Sequence, residues 1–132
     1  RLLFDDEPLA ALVMMGEAVS RATLVPEVAS GRGLVYTSVS VAQRPGLDEL
    51  AVERVIEALR KTTEAEVAAV LKQADDGHWK VSLRSKTAVD VGEVANQMGG
   101  GGHKYASGYS STSDLDITIT ELIAAINAIS VN

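Results

Sequence analysis

The sequence predicts an α/β (α+β) fold: a single domain with one mixed β-sheet flanked by helices. Three observations lead there. Segments with helical periodicity alternate with segments of strand periodicity or short apolar runs. The 132 residues suit one domain, and a chain of that length buries about two-thirds of the surface it exposes when unfolded. The apolar fraction is 46% but only 4% of residues are aromatic, so the core has to rest on Val, Leu, Ile and Ala.

Residues 8–22 read as a helix, with Pro8 in its first turn and Leu9, Leu12, Val13 and Ala18 or Val19 at helical spacing. Pro26, Gly31 and Gly33 break it. From Leu34 to Val41 residues alternate, Val35, Val39 and Val41 against Tyr36, Ser38 and Ser40, as in a half-buried strand. Pro45 and Gly46 mark a turn into a helix over 47–61, with Leu47, Leu50, Ala51, Val55 and Leu59 inward. The unbroken run Val67 to Leu71 predicts a strand covered on both faces. Asp75-Asp76-Gly77 is hairpin chemistry. The strand that follows, Trp79 to Lys86, puts Trp79, Val81, Leu83 and Ser85 on one face and Lys80, Ser82, Arg84 and Lys86 on the other. Asp90 and Glu93 form a capping box for a short helix with Val91, Val94, Ala95 and Met98 as its stripe. Gly99 to Gly102 end that helix, and a short strand lies near Tyr109. A last helix from about Thr118, capped by Thr118 and Glu121, buries Leu122, Ile123, Ile126 and Ile129.

The chain has no cysteine, which excludes disulfides and thiolate metal sites and agrees with a cytoplasmic address. No apolar run reaches the roughly 20 residues that span a bilayer. It opens on Arg1 and then Leu2, Leu3 and Phe4, which reads as a strand or helix cut from a longer polypeptide. Residues 1–25 are expected to be an N-terminal helix that follows a linker or a further domain, with the main domain over 26–132. The net charge of −6 argues against a general nucleic-acid binder. Residues 77–109 differ, however: Lys80, Arg84, Lys86 and Lys104 stand against Asp90 and Glu93, a net +2 that leaves −8 on the remainder. A small cationic island on an acidic protein suits one or two phosphates rather than a polymer backbone.

Within that island the four glycines are the sharpest signal. Each costs roughly 0.5–1 kcal/mol of backbone entropy relative to alanine, so the run marks positive φ or a close approach. One glycine explains a helix C-cap. Four suggest backbone N–H groups cradling an anion, with His103 and Lys104 beside them. The pattern is neither a P-loop nor a dinucleotide fingerprint. Arg84 offers a planar fork for a phosphate, with Ser82 and Lys86 on its face. As a metal ligand His103 lacks companions, so contact with a phosphate or a base is its expected role. There is no Ser-His-Asp order, no helical His pair and no Asp-rich two-metal motif. Asp5-Asp6 and Asp75-Asp76 read as solvated terminal or turn residues.

The stretches Ser82-Leu83-Arg84-Ser85-Lys86, Val89-Asp90-Val91 and Gly99-Gly100-Gly101-Gly102-His103-Lys104-Tyr105-Ala106-Ser107-Gly108 resemble the DHHA1 domain of the DHH phosphoesterase superfamily. The arrangement is most similar to the NrnA-type branch of oligoribonucleases, pAp phosphatases and cyclic dinucleotide phosphodiesterases, over nearly all of residues 8–130. The resemblance implies a DHHA1-like fold, and a catalytic DHH domain, N-terminal in the same protein, that holds manganese. No cofactor is expected in this chain, whose residues do not match the Asp-His-His triplet. What carries over is substrate binding. Arg84 would grip a terminal phosphate assisted by Ser82, Ser85 or Lys86. Gly100, Gly101 and Gly102 would present backbone donors. His103, with Lys104 next to it, would contact phosphate or base, and Ala106 and Gly108 would keep the wall thin. The expected partners are a short nucleotide (pAp, a short RNA, or a cyclic or linear dinucleotide) and the DHH domain, with no membrane. Such enzymes often pair as homodimers. A second reading is a stand-alone nucleotide- or anion-binding module without catalysis.

Overall fold

The structure, a computed structural model, describes residues 8–44 and 49–129. The readings at Leu2 to Phe4, Asp5-Asp6 and the Pro45-Gly46 turn, and those of Leu47 and the Leu50 side chain, lie outside the described residues. The elements run α1 (Leu9–Ser20), β1 (Thr23–Val25), the single turn α2 (Val28–Gly31), β2 (Leu34–Val39), a 3-10 turn at Val41–Gln43, α3 (Glu49–Leu59), β3 (Val67–Gln73), β4 (Trp79–Ser85), α4 (Val91–Gln97), β5 (Gly101–His103), β6 (Ala106–Ser111) and α5 (Leu115–Ala128). The strands form one mixed sheet in the order β1-β2-β3-β4-β6-β5. The β2–β3 pair is parallel, with α3 as its crossover, and the other pairs are antiparallel.

Strand β3 is central, and its Val-Ala-Ala-Val-Leu run is buried on both faces as its composition predicts. Val67, Ala69 and Leu71 join Trp79, Val81, Leu83 and Tyr109 beneath α4 and α5. Ala68 and Val70 join Val35 and Val39 beneath α1 and α3. The two helical layers cover different strands. On their face of the sheet α1 and α3 shield β2 and β3, α3 reaches β4 through Glu53 and Glu57 at Arg84, and among the described residues the β6 and β5 part of that face has no helix over it.

Several expectations are corrected. In α1 the stripe Leu9, Leu12, Val13 points outward at 75%, 49% and 50% exposure, while Ala11, Met14 and Ala18 are buried. The helix is apolar nearly all round, so periodicity could not choose its face. The small alanines let it lie close to α3 and β2, in the cluster that Val52, Val55 and Ile56 complete. Strand β1 pairs antiparallel with β2, Thr23 opposite Tyr36 and Val25 opposite Leu34. Helix α5 starts at Leu115, because the Asp114 carboxylate accepts from the Ile117 N–H at 2.9 Å. Thr118 is buried instead, its hydroxyl 2.7 Å from Ser111 Oγ. At α4 only half of the expected box forms. Asp90 accepts from the Glu93 N–H at 3.0 Å, but the Glu93 carboxylate accepts from Gln97 Nε2 at 3.3 Å.

Candidate functional site

Alternation on β4 sends Lys80, Ser82 and Arg84 to the face that α1 and α3 leave open. The register carries that face across two more strands. Arg84 stands opposite Ala106, and Ala106 opposite His103. Ser82 stands opposite Gly108, and Gly108 opposite Gly101. Lys80 stands opposite Ser110. Directly opposed residues share a face, so Arg84 and His103 lie on the same side, separated by two strand spacings of about 4.8 Å each. The residues between them are Ala106, Gly108 and Gly101, which makes a floor almost without side chains. A cleft of about 390 Å³ adjoins this floor at Gly108 and is lined by Lys80, Ser82, Gly99, Gly100 and Ser110 among others, but by neither Arg84 nor His103. A trough of about 160 Å³ continues it past Lys80 and Ser82 to Lys72, Val70 and the Val52, Glu53 and Ile56 side of α3.

Other expected residues are drawn elsewhere. Ser85 is buried on the opposite face, where its hydroxyl donates to the Lys104 carbonyl at 3.0 Å. With Ser85 N–H on Tyr105 O at 3.1 Å and Val91 N–H on Lys104 O at 2.9 Å, it pins the β5–β6 hairpin. That is a structural task, so Ser85 is not among the groups of the open face. The strand ends before Lys86, whose ammonium donates to the Thr62 carbonyl. Lys104 borders a different cleft, beyond edge strand β5, with Asp90, Glu93 and Asn96. Its ammonium lies 5.5 Å from the centre of the Tyr105 ring.

The glycine run divides its labour. Gly99, at φ 87°, and Gly100 close α4: Gly99 N–H donates to Asn96 O at 3.2 Å and Gly100 N–H to Ala95 O at 2.8 Å. That is a Schellman motif. The Gly100 N–H is therefore already engaged and does not join an anion cradle. The residue is glycine because a Cβ there would lie 2.2 Å from Gly108 O. Gly101 and Gly102 form edge strand β5, and a Cβ on Gly102 would lie 2.5 Å from Ser107 Cα.

Three features escaped sequence reasoning. Lys80 lines both the cleft and the trough, a placement its position on the Arg84 face already signalled. Glu53 and Glu57 of α3 face Arg84, with Glu53 Oε1 3.6 Å from Nη2 and Glu57 Oε2 3.4 Å from Nε. Their i,i+4 spacing was legible, but the strand they face was not. For Glu57 the hydrogen bond from Arg60 is the main influence, and with the charges of Arg60 and Arg84 it outweighs burial and holds the carboxyl below its ordinary range. Tyr109 borders the cleft, but burial, with the nearby Glu121, pushes its phenol up to about 12. That makes it a poor proton donor or acceptor near neutrality. Among the described residues no three His, Asp or Glu side chains come together to hold a metal, and no helix is long and apolar enough to cross a membrane.

Residues 33–131 match the DHHA1 domain family. The chain belongs to the DHHA1 family. Over 84 residues this DHHA1 domain is 32% identical to a Streptococcus mutans protein described as "Probable bifunctional oligoribonuclease and PAP phosphatase NrnA". The matched region is 64% of this chain and 27% of that protein, so the domain spans about a quarter of its curated relative. Among solved structures it superposes on an exopolyphosphatase-related protein of Bacteroides fragilis with a TM-score of 0.83 at 16% identity, covering 94% of this chain and 36% of that one. A pGpG-specific phosphodiesterase of Vibrio, PggH, gives a TM-score of 0.61 at 17% identity, covering 91% and 40%. The C-Ala domain of Aquifex aeolicus alanyl-tRNA synthetase gives 0.56 at 14% identity, covering 82% and 99%. At these identities the likenesses show a shared fold.

Proposed function

We propose that this DHHA1 domain grips the phosphate-bearing end of a short nucleotide and presents the rest to a DHH phosphoesterase domain of the same protein. One observation carries the reading: the register that sets Arg84 and His103 on one face across a floor of Ala106, Gly108 and Gly101. Arg84 supplies planar N–H donors and charge. Ser82 and Lys80 supply a hydroxyl and an ammonium one and two rows away. His103 supplies a ring for phosphate or base at the far strand. The bare floor lets a ligand approach the backbone.

The names of the relatives from Streptococcus mutans and Vibrio point the same way, toward pAp, short RNA and dinucleotides. Manganese would be carried by the accompanying DHH domain, as the family resemblance implies. This chain's own share of the reaction is binding and positioning. A substrate held at one end brings only one scissile bond within reach, and such positioning can supply a large part of a barrier reduction.

Calorimetric titration of the 132-residue chain with pAp and pApA tests this. Arg84→Ala should weaken binding roughly 10- to 100-fold, the worth of a charge-assisted contact to phosphate. His103→Ala should weaken it less, and both variants should melt close to the parent. Unchanged affinity in both variants, or a collapse of both on heating, would refute the proposal.

A further inference from the structure

We infer that Glu53 and Glu57 are specificity-determining residues of the open face: by sharing the Arg84 guanidinium they limit how much negative charge a ligand can bring there. The inference rests on the reading of that face as a phosphate site. Its starting point is that Arg84, the cation a phosphate would seek, already has anionic partners. Nε lies 3.4 Å from Glu57 Oε2 and Nη2 lies 3.6 Å from Glu53 Oε1, while Nη1 donates to Leu83 O at 2.9 Å. The Arg84 side chain is only 18% exposed, against 59% for Glu53 and 46% for Glu57. The carboxylates are thus the more solvated members of the group and the guanidinium its more buried centre.

The other oxygen of Glu57 is 2.7 Å from Arg60 Nε. Two carboxylates and two guanidiniums make a cluster with no net charge, so Arg84 projects little positive field beyond contact range. A guanidinium has five N–H groups, and these contacts leave some of them for a ligand. A terminal monophosphate can use them while the carboxylates rotate toward water. A ligand that carries further phosphates into the trough meets Glu53 on a wall that also bears Lys72 and Lys80, so the Glu53 carboxylate offsets part of the attraction those ammoniums exert. The face therefore combines an attractive element, Arg84, with a repulsive one, and specificity needs both.

The test uses adenosine 5′-monophosphate and adenosine 5′-triphosphate, titrated calorimetrically into the 132-residue chain with chelator present, for the parent, Glu53→Gln, Glu57→Gln, the double variant and Arg84→Ala. Gln keeps the shape of the side chain and removes the charge. Glu53→Gln should tighten both ligands and gain roughly 3- to 10-fold more for the triphosphate, the range of one partly screened charge pair. Glu57→Gln should act in the same direction, and the double variant should shift the ratio of triphosphate to monophosphate affinity further than either single change. A gain that is equal for both ligands, no change, or weaker binding would overturn the inference while the phosphate site stands, provided Arg84→Ala still loses affinity. If the parent binds neither nucleotide, or Arg84→Ala binds as well as the parent, the phosphate reading falls and this inference with it.

Discussion

Glu66 sits between α3 and β3, away from the open face, and organises more backbone than any residue of the candidate site. Its Oε2 accepts from the N–H groups of Lys86, Thr87, Ala88 and Val89 at 3.1, 2.9, 2.9 and 3.2 Å, and Oε1 accepts from the Thr87 hydroxyl at 3.1 Å. Four successive donors turned inward form an anion nest, and the protein fills it with its own carboxylate. Burial alone would raise the Glu66 pKa, but the bonds from Thr87, Ala88 and Val89 outweigh it and leave it below 4.5. The folded pKa lies below the unfolded one, so the stabilisation is fully present above about pH 4.5 and is lost as pH falls through the folded value. Glu66→Gln should therefore lower the midpoint of urea unfolding at pH 7 and flatten the loss of stability below pH 4.5. Identical pH profiles for parent and variant would show that this carboxylate does not set the acid limb. The glutamate was visible as a residue, but its role depends on the loop after β4 folding back over it.

At the scale of elements, edge strand β5 and the cap of α4 share one glycine run and make opposite demands on it. Gly100 is held by contact: a Cβ would lie 2.2 Å from Gly108 O and 2.5 Å from Tyr109 Cβ. Gly101 has no atom within 4 Å of a Cβ and sits in the row with Ser82 and Gly108. Gly100→Ala should cost roughly 2–4 kcal/mol, as steric conflicts in packed sites do. Gly101→Ala should melt close to the parent yet weaken pAp binding, because the methyl is added to the floor. Thermal melts and titrations of the pair separate the two roles, and a Gly101→Ala variant that binds like the parent would remove the floor from the site. The sequence showed that the run was special. It could not show that Gly99 and Gly100 serve a Schellman cap while the next two enter a strand. Strands β1 and β5 are three residues each, too short for a period of two to register, and both exist because a neighbouring strand offers hydrogen bonds.

For the whole molecule, the proposed reading assigns this chain the grip on a phosphate and leaves hydrolysis to a DHH domain. The 132-residue chain should accordingly bind short nucleotides and hydrolyse none, with or without added manganese. Metal-dependent release of mononucleotide or phosphate by the purified chain would overturn that. Joined to a catalytic DHH domain, as proposed, the same chain should support turnover that Arg84→Ala impairs.

Local pattern determined the helices α1, α3 and α4, the strands β2, β3, β4 and β6 and the cationic face of β4, because apolar periodicity and turn residues act over a few neighbours. The family was legible for a similar reason: its motif is contiguous in sequence, with glycines, His103 and Gly108 within ten residues. Tertiary structure decided which face of the all-round apolar α1 is buried, that the Ser85 hydroxyl meets the Lys104 carbonyl of the hairpin, and that α3 brings Glu53 and Glu57 to Arg84. Those outcomes are contacts between segments distant in sequence. They are set by which surfaces pack together and which donors and acceptors meet, and no single segment encodes that by itself.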